Sequence, residues 1–154
     1  VSVNGEAVVL DGALENGYLP IVRTWQNGDS IVLDLEMPIE RVYAHPNVGQ
    51  DINAVALQRG PLVYCVEQVD SEAPVQYLHL PADSVLNDRF EPALLGGVVT
   101  IAGTAAAVSL EGWSEVLYRT EPVALTPVQF RAIPYYAWDN REPGVMRVWL
   151  PLAQ

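Results

Sequence analysis

Ile31, Leu33, Leu35 and Met37 alternate with Val32, Asp34 and Glu36, a period of two that predicts a strand with one dry face and one largely wet face. Asn27, Gly28 and Asp29 turn the chain into this run, and Tyr18 to Trp25 reads as the strand before the turn. At the amino terminus, Val1 to Val3 and Glu6 to Val9 flank Asn4-Gly5, a dipeptide that accepts the positive φ angles of a two-residue hairpin turn. Further on, Val42 to Ala44 is a short strand stopped before Pro46, and Ala54 to Gln58 and Leu62 to Glu67 are two strands divided by Gly60 and Pro61. The second of these is apolar on both faces, which predicts a central strand packed on two sides.

Beyond it, Tyr77 to Leu80, Val98 to Ile101, Val116 to Arg119, Val123 to Ile133 and Val145 to Leu150 carry strand patterns. Only Asp83 to Phe90 has helix-like spacing. The last two strand runs are joined by Trp138 to Gly144, which predicts a closing hairpin. Acids, Ser71 and Pro74 make Asp70 to Pro74 the best linker, so the boundaries expected are 1–69 and 75–154. Many short strands with turn residues between them predict an all-β fold, an antiparallel β-sandwich in two small modules.

Composition reinforces this picture. Twelve prolines and 11 glycines in 154 residues interrupt any long helix, and a hydrophobic content of 50% supplies a core. Nineteen acids oppose eight bases, all arginine, for a net charge of −11. Without lysine or a basic run, nucleic acid and anionic membranes are not expected partners. No apolar stretch approaches the roughly 20 residues that span a bilayer as a helix. The chain opens at Val1 already reading as strand, so it is expected to be cut from something longer.

Chemistry-bearing residues are scattered. Asp34 and Glu36 lie two apart on the outward side of an amphipathic strand, where solvated charges belong. His45 and His79 have no cysteine or acid at ligand-like spacing, so no metal site is expected in this chain. Cys65, the one cysteine, sits in the apolar strand, where burial raises a thiol pKa. Neither a nucleophilic Gly-x-Ser-x-Gly turn nor a phosphate loop is present. No catalytic or cofactor-binding residue is therefore assigned. Tyr135, Tyr136, Trp138 and Trp149 read as core packing, as an interface or as a sugar-stacking platform. Alternation along Ile133 to Trp138 would set Tyr135 with Ala137 and Tyr136 with Trp138 on opposite faces, so at most half of the group is expected to be exposed together. Tyr136, Trp138 and Arg141 are the candidates for an interface or sugar contact.

Three segments carry a family resemblance: GYLPIVRTWQNGDSIVLDLEMPIERVYAHP from Gly17 to Pro46, VALQRGPLVYCVE from Val55 to Glu67, and IPYYAWDNREPGVMRVWL from Ile133 to Leu150. In order and spacing they resemble the carboxy-terminal β-sandwich region of the β-L-arabinofuranosidases of glycoside hydrolase family 127. Glu142 departs from the pattern, standing where the family's NRGPG-like turn has glycine. The resemblance implies that a catalytic (α/α)6 barrel precedes two sandwiches on the same polypeptide. It also implies that a zinc-thiolate cysteine nucleophile and a glutamate acid/base belong to that barrel, with no counterpart here. Cys65 is thus not a nucleophile. A zinc-thiolate centre must stay reduced to work, which points to a cytoplasmic parent.

The implied role is a non-catalytic β portion that braces the helical barrel and offers a surface for a homodimer, with Leu62 to Val66 and the closing aromatic turn as expected contacts. The same resemblance implies that the first module lacks strand partners supplied from upstream. A carbohydrate-binding module built on the last aromatics is the alternative.

Overall fold

The structure, a computed structural model, describes residues 1–9, 14–113 and 116–153. Among the described residues there is no α-helix, only strands and four three-residue 3-10 turns, so the all-β expectation holds. Contacts divide the chain into two compact units, Val1–Glu36 and Met37–Gln154.

In the first unit, β1 (Ser2–Val3) pairs antiparallel with both β2 (Glu6–Ala7) and β3 (Ile31–Val32). Asn4 (φ 52°) and Gly5 (φ 83°) form the expected hairpin turn, whose positive φ angles match the twist of the flanking strands. The Asn4 side chain also fixes the later turn: Nδ2 donates to Asp29 Oδ1 at 2.8 Å and Oδ1 accepts from the Ser30 amide at 2.9 Å. These bonds, first that from Asn4 and then that from the Gln26 amide, hold the Asp29 carboxyl below the usual carboxylate range.

Two expectations fail in this unit. Tyr18 to Trp25 is not a strand; Tyr18 makes only an isolated bridge to Glu15 around a second positive-φ pair, Asn16-Gly17. Of the alternating run, only Ile31 and Val32 are paired, because β1 is two residues long and leaves the later backbone groups no ladder partner.

The second unit contains β4 (Ile39–Tyr43), β5 (Ala54–Arg59), β6 (Leu62–Glu67), β7 (Leu78–Pro81), β8 (Leu86–Glu91), β9 (Val98–Val108), β10 (Leu125–Pro134), β11 (Met146–Arg147) and β12 (Leu150–Ala153). Hydrogen-bonded neighbours run β5, β6, β10, β9, β7, β12 and back to β5, closing six strands into a β-barrel where two stacked sheets were expected. Closure depends on β12, which pairs antiparallel with β5 and parallel with β7. The β5–β6 turn is Gly60-Pro61: Gly60 supplies φ 55° and the proline ring fixes the next φ negative, a combination suited to a two-residue hairpin.

Three further corrections concern tertiary pairing. Leu86–Glu91 is strand, not helix, because six consecutive residues pair with Glu91↔Val98 through Leu86↔Gly103 on β9. Val116 to Arg119 is not a strand; it lies in the β9–β10 connection, where the Arg119 guanidinium sits 4.3 Å over the Trp113 ring. The closing hairpin is not formed: β10 and β11 each pair with β6 and not with one another. The Asp70 to Pro74 segment lies within the second unit, where Ser71 bridges Phe130 and Glu72 accepts from the Gln129 amide at 2.8 Å.

The apolar strand β6 fulfils its expectation of burial on two sides. Tyr64 and Val66 enter the main core with Val55, Leu57, Leu80, Ile101 and Leu150, while Cys65 points into a second cluster with Val98, Ile133 and Ala137. Consequently the Leu62 to Val66 strand is consumed by this unit's own core and, apart from Val63 and the half-buried Leu62, is not free for an external contact.

Candidate functional site

Alternation along β6 puts Glu67 on the same face as Cys65, at the end of a strand with apolar residues before it. Two pairings converge on it. The Ser71–Phe130 bridge places Asp70 beside Arg131 of β10, and the Met146↔Glu67 register brings the chain returning from residues 139–144 across Glu67. Arg131 Nε donates to Asp70 Oδ1 at 2.8 Å. Arg141 Nε donates to Glu67 Oε2 at 3.1 Å and Nη1 to Asp70 Oδ1 at 3.0 Å, while its Nη2 bonds both carboxylates. Glu67 Oε1 accepts from the Asp139 amide at 3.2 Å.

Two carboxylates thus meet two guanidinium groups at a site where Asp70 has no exposed side-chain surface and Arg141 only 15%. Desolvation of each ion would cost several kcal/mol in isolation, and the balanced, multiply hydrogen-bonded arrangement offsets it. The hydrogen bonds that Arg141 donates to Asp70, and then those to Glu67, raise its pKa against the opposing effect of burial. The same Glu67 charge, after burial itself, helps push the Cys65 thiol up to about 12. Cys65 therefore stays protonated and shielded, as its place in the apolar strand implied.

Above this cluster the backbone leaves β10 in a 3-10 turn, Tyr135–Ala137. The extended alternation expected there is replaced by a three-residue period, which sets Tyr135 and Trp138 on one side. Their rings stack with centroids 6.0 Å apart and planes at 23°. Tyr135, Tyr136 and Trp138 are 45, 67 and 37% exposed, so each reaches solvent, where extended alternation predicted that at most half of the group would. Asn140 Nδ2 donates to the carbonyls of Ala137 at 3.2 Å and Trp138 at 3.0 Å, bracing the turn.

Of the three sequence candidates, Tyr136 and Trp138 are accessible and Arg141 is not: its guanidinium is occupied by Glu67 and Asp70. Glu67, Asp70 and Arg131 were missed. A charge ending an apolar strand was the available signal for Glu67, whereas Asp70 read as linker because its partners are distant in sequence.

The remaining chemistry is dispersed. Among the described residues no three His, Cys, Asp or Glu side chains gather as a metal site. His45 Nδ1 accepts from the Asn47 amide at 3.1 Å and His79 Nδ1 lies 3.1 Å from the Tyr77 carbonyl, both local arrangements. A hollow of about 500 Å³ lined by Ile52, His79, Val108, Leu125 and Leu152 shares no residue with the ion cluster.

Residues 39–151 match the model of the glycoside hydrolase family 127 C-terminal domain. Over 97% of its length the chain is 39% identical to a non-reducing end beta-L-arabinofuranosidase of Bifidobacterium longum subsp. longum, covering 23% of that protein. A crystal structure of a GH127 beta-L-arabinofuranosidase from Geobacillus stearothermophilus T6 superposes with a TM-score of 0.89 at 47% identity, over 99% of this chain and 24% of that one. A second GH127 beta-arabinofuranosidase structure gives 0.85 at 36% identity, over 99% and 23%. The chain thus spans about a quarter of the length of the relatives it matches.

Proposed function

Because the chain belongs to glycoside hydrolase family 127, matching its C-terminal domain, we propose that it is the non-catalytic β portion of a longer glycosidase acting on β-L-arabinofuranosides. In this reading it braces a helical catalytic barrel on the same polypeptide. The observation that carries the reading is the asymmetry of coverage: nearly all of this chain aligns with about a quarter of proteins named for arabinofuranosidase activity. The donor chemistry here supports placing the reaction elsewhere. A zinc-thiolate nucleophile needs an ionised, accessible thiol among other ligands, whereas Cys65 is buried and protonated. In this reading zinc and the acid/base carboxylate belong to the barrel, as the family resemblance implies.

The exposed apolar run Ile31 to Leu35 supports the bracing role, since it is a surface that further polypeptide could cover. The test is to assay p-nitrophenyl β-L-arabinofuranoside hydrolysis by this chain alone and by the same chain continuous with its upstream coding sequence. Turnover is expected only in the joined protein; comparable turnover by the chain alone overturns the reading.

A second reading, sugar contact by the Tyr135 to Trp138 turn, is favoured by the exposure of Tyr135, Tyr136 and Trp138 on a braced backbone. Calorimetric titration of the chain with arabinan oligosaccharides tests it, with heat expected at millimolar sugar and its absence overturning the reading.

A further inference from the structure

Trp138 is tethered from several directions. On its amino-terminal side Tyr135 stacks on the indole, and Tyr135 follows Pro134, whose register partner on β6 is Tyr64. On its carboxy-terminal side the Asp139 amide is held by Glu67, and Arg141, two residues further, is locked between Glu67 and Asp70. Asp139 has φ 62°, a left-handed conformation that Asp adopts more readily than most non-glycine residues, and the bond from its amide to Glu67 holds it there. Arg131 completes the restraint by tying Asp70 to β10, the strand from which the aromatic turn emerges.

From this we infer that Glu67, Asp70, Arg131 and Arg141 form a positioning clamp that presents Tyr135 and Trp138, with the exposed Tyr136 adjacent in the turn, as a preformed ledge for a sugar ring offering its C–H face. The inference rests on the second reading above. Polarised C–H groups of a sugar complement the negative face of an aromatic ring. Asp139, exposed immediately after Trp138, adds a carboxylate, a group that accepts hydrogen bonds from sugar hydroxyls. Arg141 is thus a positioning residue, not a sugar contact. Ordering a mobile side chain on binding opposes affinity, and a ring already held avoids that cost.

The experiment combines calorimetric titration with arabinan oligosaccharides and the indole N–H resonances of the four tryptophans, that of Trp138 assigned by Trp138→Phe. Trp138→Ala and Tyr136→Ala are expected to abolish or strongly reduce the binding heat. Arg141→Lys and the near-isosteric Asp70→Asn are expected to weaken binding about tenfold. In both, the Trp138 resonance should shift or broaden while those of Trp25, Trp113 and Trp149 stay in place.

Absence of binding by the unmodified chain, or binding indifferent to both aromatic truncations, overturns the sugar reading and the inference with it. Binding that needs the aromatics but survives Arg141→Lys and Asp70→Asn overturns the clamp alone. Should those variants not fold, relaxation of the Trp138 indole in the unmodified chain decides: rigidity equal to that of Trp149 is expected, and a freely mobile indole overturns the clamp.

Discussion

The runs Ile31 to Met37 and Ala54 to Arg59 are both strand-like, and they end in opposite environments. Ile31, Leu33 and Leu35 are 54, 61 and 67% exposed, whereas Val55, Ala56 and Leu57 are at most 5% exposed. The difference lies in partners. β5 has β4, β6 and β12 as hydrogen-bonded neighbours, and its side chains enter the barrel core; the earlier run has β1 for two residues only. A periodic sequence supplies a face able to be buried, but burial itself is supplied by other strands.

The sharpest test of this contrast concerns charge. Arg141→Met leaves Glu67 and Asp70 buried without their shared partner and is expected to destabilise the second unit by about 3–5 kcal/mol. Arg23→Met removes a 3.6 Å contact to Asp29 in the first unit and is expected to change stability little. Chemical denaturation of both variants checks the pair; equal losses would break the distinction between the regions.

An apolar pair comes next. Leu80→Ala, at a fully buried position, is expected to cost about 2–5 kcal/mol, while Leu35→Ala is expected to fall within about 0.5 kcal/mol of the parent. Urea midpoints at constant slope measure both. A large loss at Leu35 would mean that the exposed run is packed in solution.

Glycine substitutions separate packing from backbone effects. At Gly103 a Cβ would lie 2.8 Å from Leu86 Cδ2 and 3.1 Å from the Val85 carbonyl oxygen. Gly103→Ala should therefore cost about 1–3 kcal/mol by forcing β8 away from β9. At Gly5 nothing lies within 4 Å, but φ is 83°, so Gly5→Ala should cost about 1–2 kcal/mol through conformation alone. Thermal unfolding gives the losses, and amide exchange in Leu86–Glu91 should rise only in the Gly103 variant.

The smallest effect near neutral pH belongs to Cys65. Its thiol pKa is about 12 in the folded chain against an ordinary value of 9.0, so the unfolded state loses the proton first as pH rises. The associated stability is fully present below pH 9 and is lost progressively toward pH 12. Cys65→Ala should show a shallower decline of stability across that window, and an identical slope would contradict the thiol's burial.

Much of the architecture was legible because it rests on local rules. Asn4-Gly5 and Gly60-Pro61 specify turns through their own backbone preferences, and the apolar run at β6 specifies a strand buried on both faces. Even the family was carried by contiguous segments of residues. Helix-like spacing at Asp83 to Phe90 misled, because the free edge of β9 beside Gly103 decided the conformation.

The candidate site was less legible for the same reason. Tyr136 and Trp138 announced themselves by residue type, while the role of Arg141 depended on two carboxylates more than 70 positions away in sequence. By itself the sequence determined an all-β chain, its principal turns, the buried Cys65 and the family. Only the tertiary structure decided the closure of six strands into a β-barrel, the failure of the last hairpin and the interior position of Arg141. Turn angles and side-chain alternation act between near neighbours, whereas strand partners and ion pairs are chosen by the whole folded chain, where an unpaired backbone group or buried charge is too costly to leave unmatched.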